Sequence, residues 1–224
     1  MWPAELPNSA LLTDVFTRTL GAMVGVISSW RTLVGVALLA PLQLSAQTAE
    51  RPELRPGERW RFVEYQTVPS TQPNREWIIT RADANGFEGT ENGEPLRLDR
   101  ELNALESPRG RYSAPRLLRF PISVGDEWRY ESDWLFKATG SSGTSTVRVQ
   151  VLAFESITVP AGSLDAYRLV ARAHVLGKSP KGSLIDAEVV TTYWYAPSAR
   201  AVVRSITHNP YVGTTTVELI AHEP

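Results

Sequence analysis

The chain has 224 residues, of which 42% are hydrophobic and 21% are charged, and its formal net charge is −1. This balance is typical of a globular protein and excludes a wholly disordered chain. Without a basic field, the composition gives no indication of nucleic-acid binding. The sequence contains no cysteine, which excludes disulfides, thiol nucleophiles and thiolate metal sites.

The first 46 residues differ in character from the rest. Arg31 precedes an apolar run over residues 32–44, and small residues lead up to Ala46. This order is typical of a secretory signal peptide, and the run is shorter than the roughly 20 residues that span a bilayer. We predict cleavage near Ala46 and a periplasmic or secreted protein that meets the membrane only through this segment. An uncleaved N-terminal anchor is the alternative.

Three further predictions concern the start of the chain. Met23 would begin a signal peptide of more typical length, so residues 1–22 are hypothesised to lie upstream of the true start. Gln47 stands where a bacterial lipoprotein carries its lipid-bearing cysteine, which argues against a lipid anchor. Residues 47–56, polar and with two prolines, are predicted to form an extended leader, and residues 57–224 a single β-rich domain.

Short strands separated by turn residues follow in the mature chain. The predicted strands cover residues 59–66, 76–81, 87–91, 96–98, 117–122, 127–138, 144–153, 165–177, 187–195, 201–207 and 215–221. The clearest signal is in residues 144–153, where valines alternate with polar residues, as in an antiparallel sheet with one buried face. We therefore predict an all-β fold, built as a single antiparallel, strongly curved sheet or half-barrel, with a two-sheet β-sandwich as the alternative.

Aromatic residues provide the candidate ligand-binding residues. On a strand, Tyr193 and Tyr195 face one side and Trp194 the other. If the sheet encloses a cavity, Tyr193, Tyr195, Tyr167 and Trp128 are predicted to line it and bind an apolar ligand. If it does not, these aromatic side chains are core residues, since each buries a large area.

No catalytic constellation emerges from the sequence. The three histidines are scattered, so no metal site is predicted, and motifs for a nucleophilic serine or a phosphate-binding loop are missing. No cofactor is predicted. The acid pairs Asp126/Glu127, Glu131/Asp133 and Asp186/Glu188 are interpreted as solvated. Arg109, Arg111 and Arg116 are interpreted as a solvated loop, with an anion-binding loop as the alternative.

Three stretches carry a family resemblance. They are residues 120–128 (FPISVGDEW), residues 159–167 (VPAGSLDAY), and residues 193–197 (YWYAP) followed by Val202-Val203-Arg204. The pattern resembles the secreted bacterial family with domain of unknown function 3108 and its relatives, with Leu164 where an aromatic residue is frequent. The resemblance implies an exported protein, and a fold related to lipoprotein carriers, in which an antiparallel sheet curves around an apolar cavity. It implies no catalytic residue.

Together these observations favour a non-catalytic exported protein. Its predicted partner is an apolar small molecule or lipid, or a protein of the cell envelope. A carboxylate-dependent hydrolase is the second hypothesis and requires two acids that converge in a cavity. A structural partner in envelope assembly is the third.

Overall fold

A computed structural model describes residues 48–66 and 74–224 of the chain. The predicted signal peptide, its cleavage near Ala46, the alternative start at Met23 and the position of Gln47 lie outside the described residues. No helix within the described ranges is both long and apolar enough to cross a membrane.

Fourteen strands and one short 3-10 helix make up the described chain. The strands are β1 (Thr48–Ala49), β2 (Arg59–Gln66), β3 (Asn74–Asp83), β4 (Gly86–Glu91), β5 (Glu94–Leu98), β6 (Ala104–Glu106), β7 (Gly110–Tyr112), β8 (Ile122–Ser123), β9 (Glu127–Phe136), β10 (Ser142–Val159), β11 (Gly162–Lys178), β12 (Leu184–Ala196), β13 (Ala201–Asn209) and β14 (Gly213–Glu223). The 3-10 helix, Pro197–Ala199, connects β12 to β13.

Twelve of these strands form a closed antiparallel barrel. Within the barrel, from β2 to β14, each strand pairs with the next barrel strand along the chain. Strand β8 is not part of the barrel, so β7 pairs with β9, and β8 pairs with β1 in a separate two-stranded sheet. The last strand, β14, then pairs with β2, from Thr215↔Gln66 to Glu223↔Arg59. The predicted open, curved sheet or half-barrel is therefore wrong, and so is the β-sandwich alternative, whereas the all-β antiparallel class is found.

Register shifts interrupt the ladders at five places in the barrel, where one strand has an extra residue. They fall at Ile79/Arg81, Arg97/Leu98, Val151/Ala153, Trp194/Tyr195 and Leu219/Ala221. An extra residue bends a strand and increases its twist. These shifts, together with strands as long as the 18 residues of β10, let a sheet of this width curl until its edges meet.

Alternation along the strands decides which side chains enter the barrel. Val147, Val149 and Val151 are buried while Thr146 and Arg148 are exposed, which confirms the period-2 prediction for this strand. The same alternation turns the apolar side chains of β2, β5, β9 and β11 inward. Burial of this apolar surface is the main source of the barrel's stability.

The connection between β7 and β9 fills part of the barrel. Residues 117–122, predicted as a strand, pair with another strand only from Ile122 onward. Leu118, Phe120 and Ile122 are instead buried against β10, β11 and β12, and the Phe120 ring meets Tyr195 edge-on at 5.2 Å. This segment occupies one side of the interior and leaves space on the other.

Candidate functional site

A cavity of about 390 Å³ lies inside the barrel. Strands β2, β3, β5, β7, β9, β12, β13 and β14 all contribute side chains to its wall. The volume falls within the range of about 300–1,000 Å³ that is common for small-molecule sites. The barrel therefore has room for a ligand of moderate size.

Most of the cavity wall is apolar. Its apolar residues are Leu54, Trp60, Phe62, Trp77, Leu96, Leu98, Leu102, Ala104, Pro115, Leu117, Leu118, Ala201, Val202 and Val217. Several of them, including Trp60, Leu96 and Leu118, are nearly inaccessible to solvent. Such a wall favours hydrocarbon over water, because transfer of apolar surface out of water is favourable.

Two arginines and two glutamates form an ion-pair network that runs from the interior to the surface, where Arg109 is 46% exposed. Arg75 Nε donates to Glu91 Oε1 at 2.8 Å, and Arg109 donates to Glu64. Arg75 also lies 3.9 Å from Glu64, which links the two pairs. Both glutamates are buried, so each needs its arginine to compensate the loss of hydration. Among the described residues, Glu91 Oε2 has no hydrogen-bond partner.

Three tyrosines also line the cavity. Burial raises the pKa of Tyr112, Tyr130 and Tyr193 above that of a free phenol. The tyrosines also influence one another, because Tyr193 raises the pKa of Tyr130 and Tyr112 raises that of Tyr193. Arg109 and Arg75 lower the pKa of Tyr112, an effect smaller than that of burial. The three phenols are therefore neutral hydrogen-bonding groups near neutral pH.

A separate buried cluster surrounds Glu58. Arg200 donates to Glu58 from Nε at 2.8 Å and lies within 2.7 Å through Nη2, and His222 Nε2 is 2.9 Å from the same carboxylate oxygen. The His222 ring stacks on Trp60, whose indole N–H donates to the Ala199 carbonyl at 2.8 Å. This cluster joins β2, the 3-10 connection and β14, and Arg200 and Trp60 also line the cavity.

The structure separates the predicted ligand-binding residues. Tyr193 lines the cavity, whereas Tyr167 and Tyr195 are fully buried in the core beside it. Trp128 donates to the Arg116 carbonyl at 2.6 Å and borders a second pocket of about 290 Å³ near Asp126. Ligand binding by these four residues stays a prediction.

The arginine loop and the acid pairs do not assemble into one site. Arg109 reaches the buried Glu64, while Arg111 pairs with Glu106 on the surface. Glu127 binds Arg148, whose hydrogen bond is the main cause of the lowered pKa of Glu127. Among residues 48–66 and 74–224, no three histidine or acidic side chains are grouped to hold a metal ion. The hydrolase hypothesis stays a hypothesis.

Sequence reasoning missed the polar part of the cavity wall. Glu64 lies on the same face of β2 as Trp60 and Phe62, and Arg75 lies on the same face of β3 as Trp77. A charged residue at an inward position of an apolar face was the available signal, since such a residue needs a buried partner. The identity of each partner depends on strands that are distant in sequence.

Comparison with solved structures finds similar folds of low sequence identity. A predicted lipoprotein from Parabacteroides distasonis matches with a TM-score of 0.50 and 13% identity, over 79% of this chain and 100% of that chain. A predicted exported protein with a YmcC-like fold from Bacteroides fragilis gives 0.49 and 15%, over 79% and 100%. The hypothetical lipoprotein YmcC from Escherichia coli gives 0.48 and 9%, over 76% and 86%.

The similarity to the Parabacteroides protein shows a shared fold only. No family model matches the chain, and no curated protein matches it. The resemblance to the family with domain of unknown function 3108 therefore stays a prediction.

Proposed function

We propose that this protein is a non-catalytic, exported binding protein that holds an apolar ligand inside its barrel. The cavity of about 390 Å³ with its mainly apolar wall is the observation that carries the proposal. The ligand is an apolar small molecule or a lipid, because such a wall offers dispersion contacts and exclusion of water to hydrocarbon.

Export rests on the signal-peptide features of residues 1–46. The description of the Parabacteroides protein as a predicted lipoprotein supports the same compartment. The absence of cysteine from this sequence distinguishes it from a protein that carries lipid on a cysteine. We therefore propose a periplasmic or secreted protein, released near Ala46.

Filling the cavity tests the proposal. Val217 lies on β14 and lines the cavity, so Val217→Phe places a ring in the ligand's space while Val217→Ile changes the volume little. We expect the uncharged fluorophore N-phenyl-1-naphthylamine to bind the purified protein saturably, and Val217→Phe to weaken that binding about tenfold, a loss of about 1.4 kcal/mol. Fluorescence titration measures both affinities.

The Val217→Ile variant is the matched control and should bind within about twofold of the parent, less than about 0.5 kcal/mol. Because overpacking costs stability, far-ultraviolet circular dichroism must first show that both variants retain the parent's strand content. Equal binding by Val217→Phe and the parent protein would place the probe outside the cavity and refute the proposal.

A further inference from the structure

Resting on the proposed cavity binding, we infer that the natural ligand is a neutral amphiphile: a hydrocarbon chain that ends in an uncharged head bearing hydroxyl groups, as in a monoacylglycerol. The apolar wall suits the chain. The head is assigned from the polar groups that line the same cavity and from their charges.

Hydroxyl groups make up most of the uncharged polar wall of the cavity. Tyr112, Tyr130, Tyr193, Ser107 and Ser205 all line the cavity, and Tyr193 pairs directly with Ser205 across β12 and β13. The three tyrosines come from β7, β9 and β12 and share this one cavity wall. A hydroxyl both donates and accepts hydrogen bonds, so these side chains match a head that does the same.

The charged residues of the wall, Arg75, Glu91, Arg109 and Arg200, are all engaged in ion pairs. Arg75 is bound to Glu91 at 2.8 Å, and Arg109 is bound to Glu64. An anionic head that drew Arg75 away would leave the buried Glu91 without its cationic partner, which is strongly unfavourable. The unpaired Glu91 Oε2 adds further repulsion of an anion.

A cationic head meets the opposite difficulty. Arg75 and Arg109 line the same cavity as the phenols. Each buried carboxylate already has an arginine partner, so a second cation would gain little attraction and would be repelled by the arginines. A neutral head leaves both ion pairs intact.

Three probes with the same ten-carbon chain test the inference: 1-monodecanoylglycerol, decanoate and decylammonium. Each is used below its micelle concentration to displace N-phenyl-1-naphthylamine from the purified protein. We expect 1-monodecanoylglycerol to bind about tenfold or more tightly than either ion. Isothermal titration calorimetry gives the stoichiometry, which should be one ligand per chain.

Removal of two hydroxyls provides the second arm. In Tyr130→Phe/Tyr193→Phe the rings remain but the hydroxyls are lost, so we expect 1-monodecanoylglycerol to bind about tenfold more weakly. The binding of N-phenyl-1-naphthylamine, which depends less on these hydroxyls, should weaken by a clearly smaller factor. The matched control is Tyr65→Phe, since Tyr65 is 52% exposed and lies outside the cavity wall.

The outcomes separate this inference from the proposed function. If decanoate or decylammonium binds most tightly, the neutral head is overturned while cavity binding stands. The same holds if the double variant binds 1-monodecanoylglycerol as the parent does. If no probe binds, including N-phenyl-1-naphthylamine, the proposed function itself fails and the inference fails with it.

Discussion

Glu58 is a carboxylate with no exposed side-chain surface, and it is satisfied by Arg200, His222 and the backbone N–H of Arg55. Arg200 and His222 are far from Glu58 in sequence, and His222 reaches it because β14 pairs with β2 when the barrel closes. Arg200 itself has a left-handed backbone conformation, with φ of 51°. The cluster therefore links closure of the barrel to one buried charge.

Neutralising this charge should destabilise the protein. Glu58→Gln preserves the shape of the side chain but leaves Arg200 without its carboxylate, so we expect the free energy of unfolding to fall by about 3 kcal/mol. Urea denaturation monitored by tryptophan fluorescence measures the change. Glu188→Gln, at an exposed position of β12, is the control and should change stability by less than about 0.5 kcal/mol. Equal effects of the two substitutions would contradict this account.

At the scale of elements, one buried asparagine holds the middle of the connection between β7 and β9. Asn103 Nδ2 donates to the Leu118 carbonyl at 3.0 Å, and Leu118 N–H donates to Asn103 Oδ1 at 2.8 Å. Asn103 thus supplies to Leu118 the pair of hydrogen bonds that a neighbouring strand would supply. This explains how the chain through residues 117–121 is buried without joining the barrel.

Asn103→Ala should loosen this segment. The change leaves the N–H and carbonyl of Leu118 unpaired in a buried place, at an expected cost of about 2–3 kcal/mol. Hydrogen exchange should show faster exchange at Leu118, and urea denaturation should show the loss of stability. Asn85→Ala, at an exposed turn between β3 and β4, should leave both unchanged. Unaltered exchange at Leu118 in Asn103→Ala would refute the role of Asn103.

At the scale of the whole molecule, closure leaves the twelve-stranded sheet without an edge strand. An unpaired edge offers free N–H and carbonyl groups to other chains, and the pairing of β14 with β2 satisfies them within the molecule. Closure also creates the interior space in which the tyrosines and the carboxylates of Glu64 and Glu91 are buried. An open sheet would have left that face in water.

The buried phenols make stability sensitive to alkaline pH. Burial raises the pKa of Tyr112, Tyr130, Tyr167, Tyr193 and Tyr195 above the ordinary value of 10.0. Above about pH 10 the unfolded chain loses these protons while the folded chain retains them, so the free energy of unfolding falls. Below that pH, ionisation of these tyrosines should not affect the free energy of unfolding.

Urea denaturation at about pH 8 and about pH 11, with tyrosinate absorbance recorded in parallel, measures this dependence. We expect lower stability at the higher pH and a rise in tyrosinate absorbance that coincides with unfolding. Ionisation of all the tyrosines in the folded protein, with no loss of stability, would show that the phenols are not buried as described.

The sequence by itself determined the β class and the inward face of most strands, because side-chain alternation is a local property of a strand. Val147, Val149 and Val151 show it, and so do Tyr193 and Tyr195, which the structure places on the inward face opposite Trp194. Trp194 instead donates to Glu155 at 2.9 Å, with Arg204 over its ring. These placements follow from period-2 geometry alone.

Only the tertiary structure decided that the sheet closes and that polar residues join the mainly apolar wall of its cavity. Inward and outward side chains alternate in the same way in an open sheet and in a barrel. The two differ in whether β14 pairs with β2, which is separated from it by nearly the whole described chain. Likewise, Arg75 and Glu91, or Arg109 and Glu64, meet only after the strands curl together. Contacts between distant parts of the chain depend on curvature and register, which no local pattern of residues specifies.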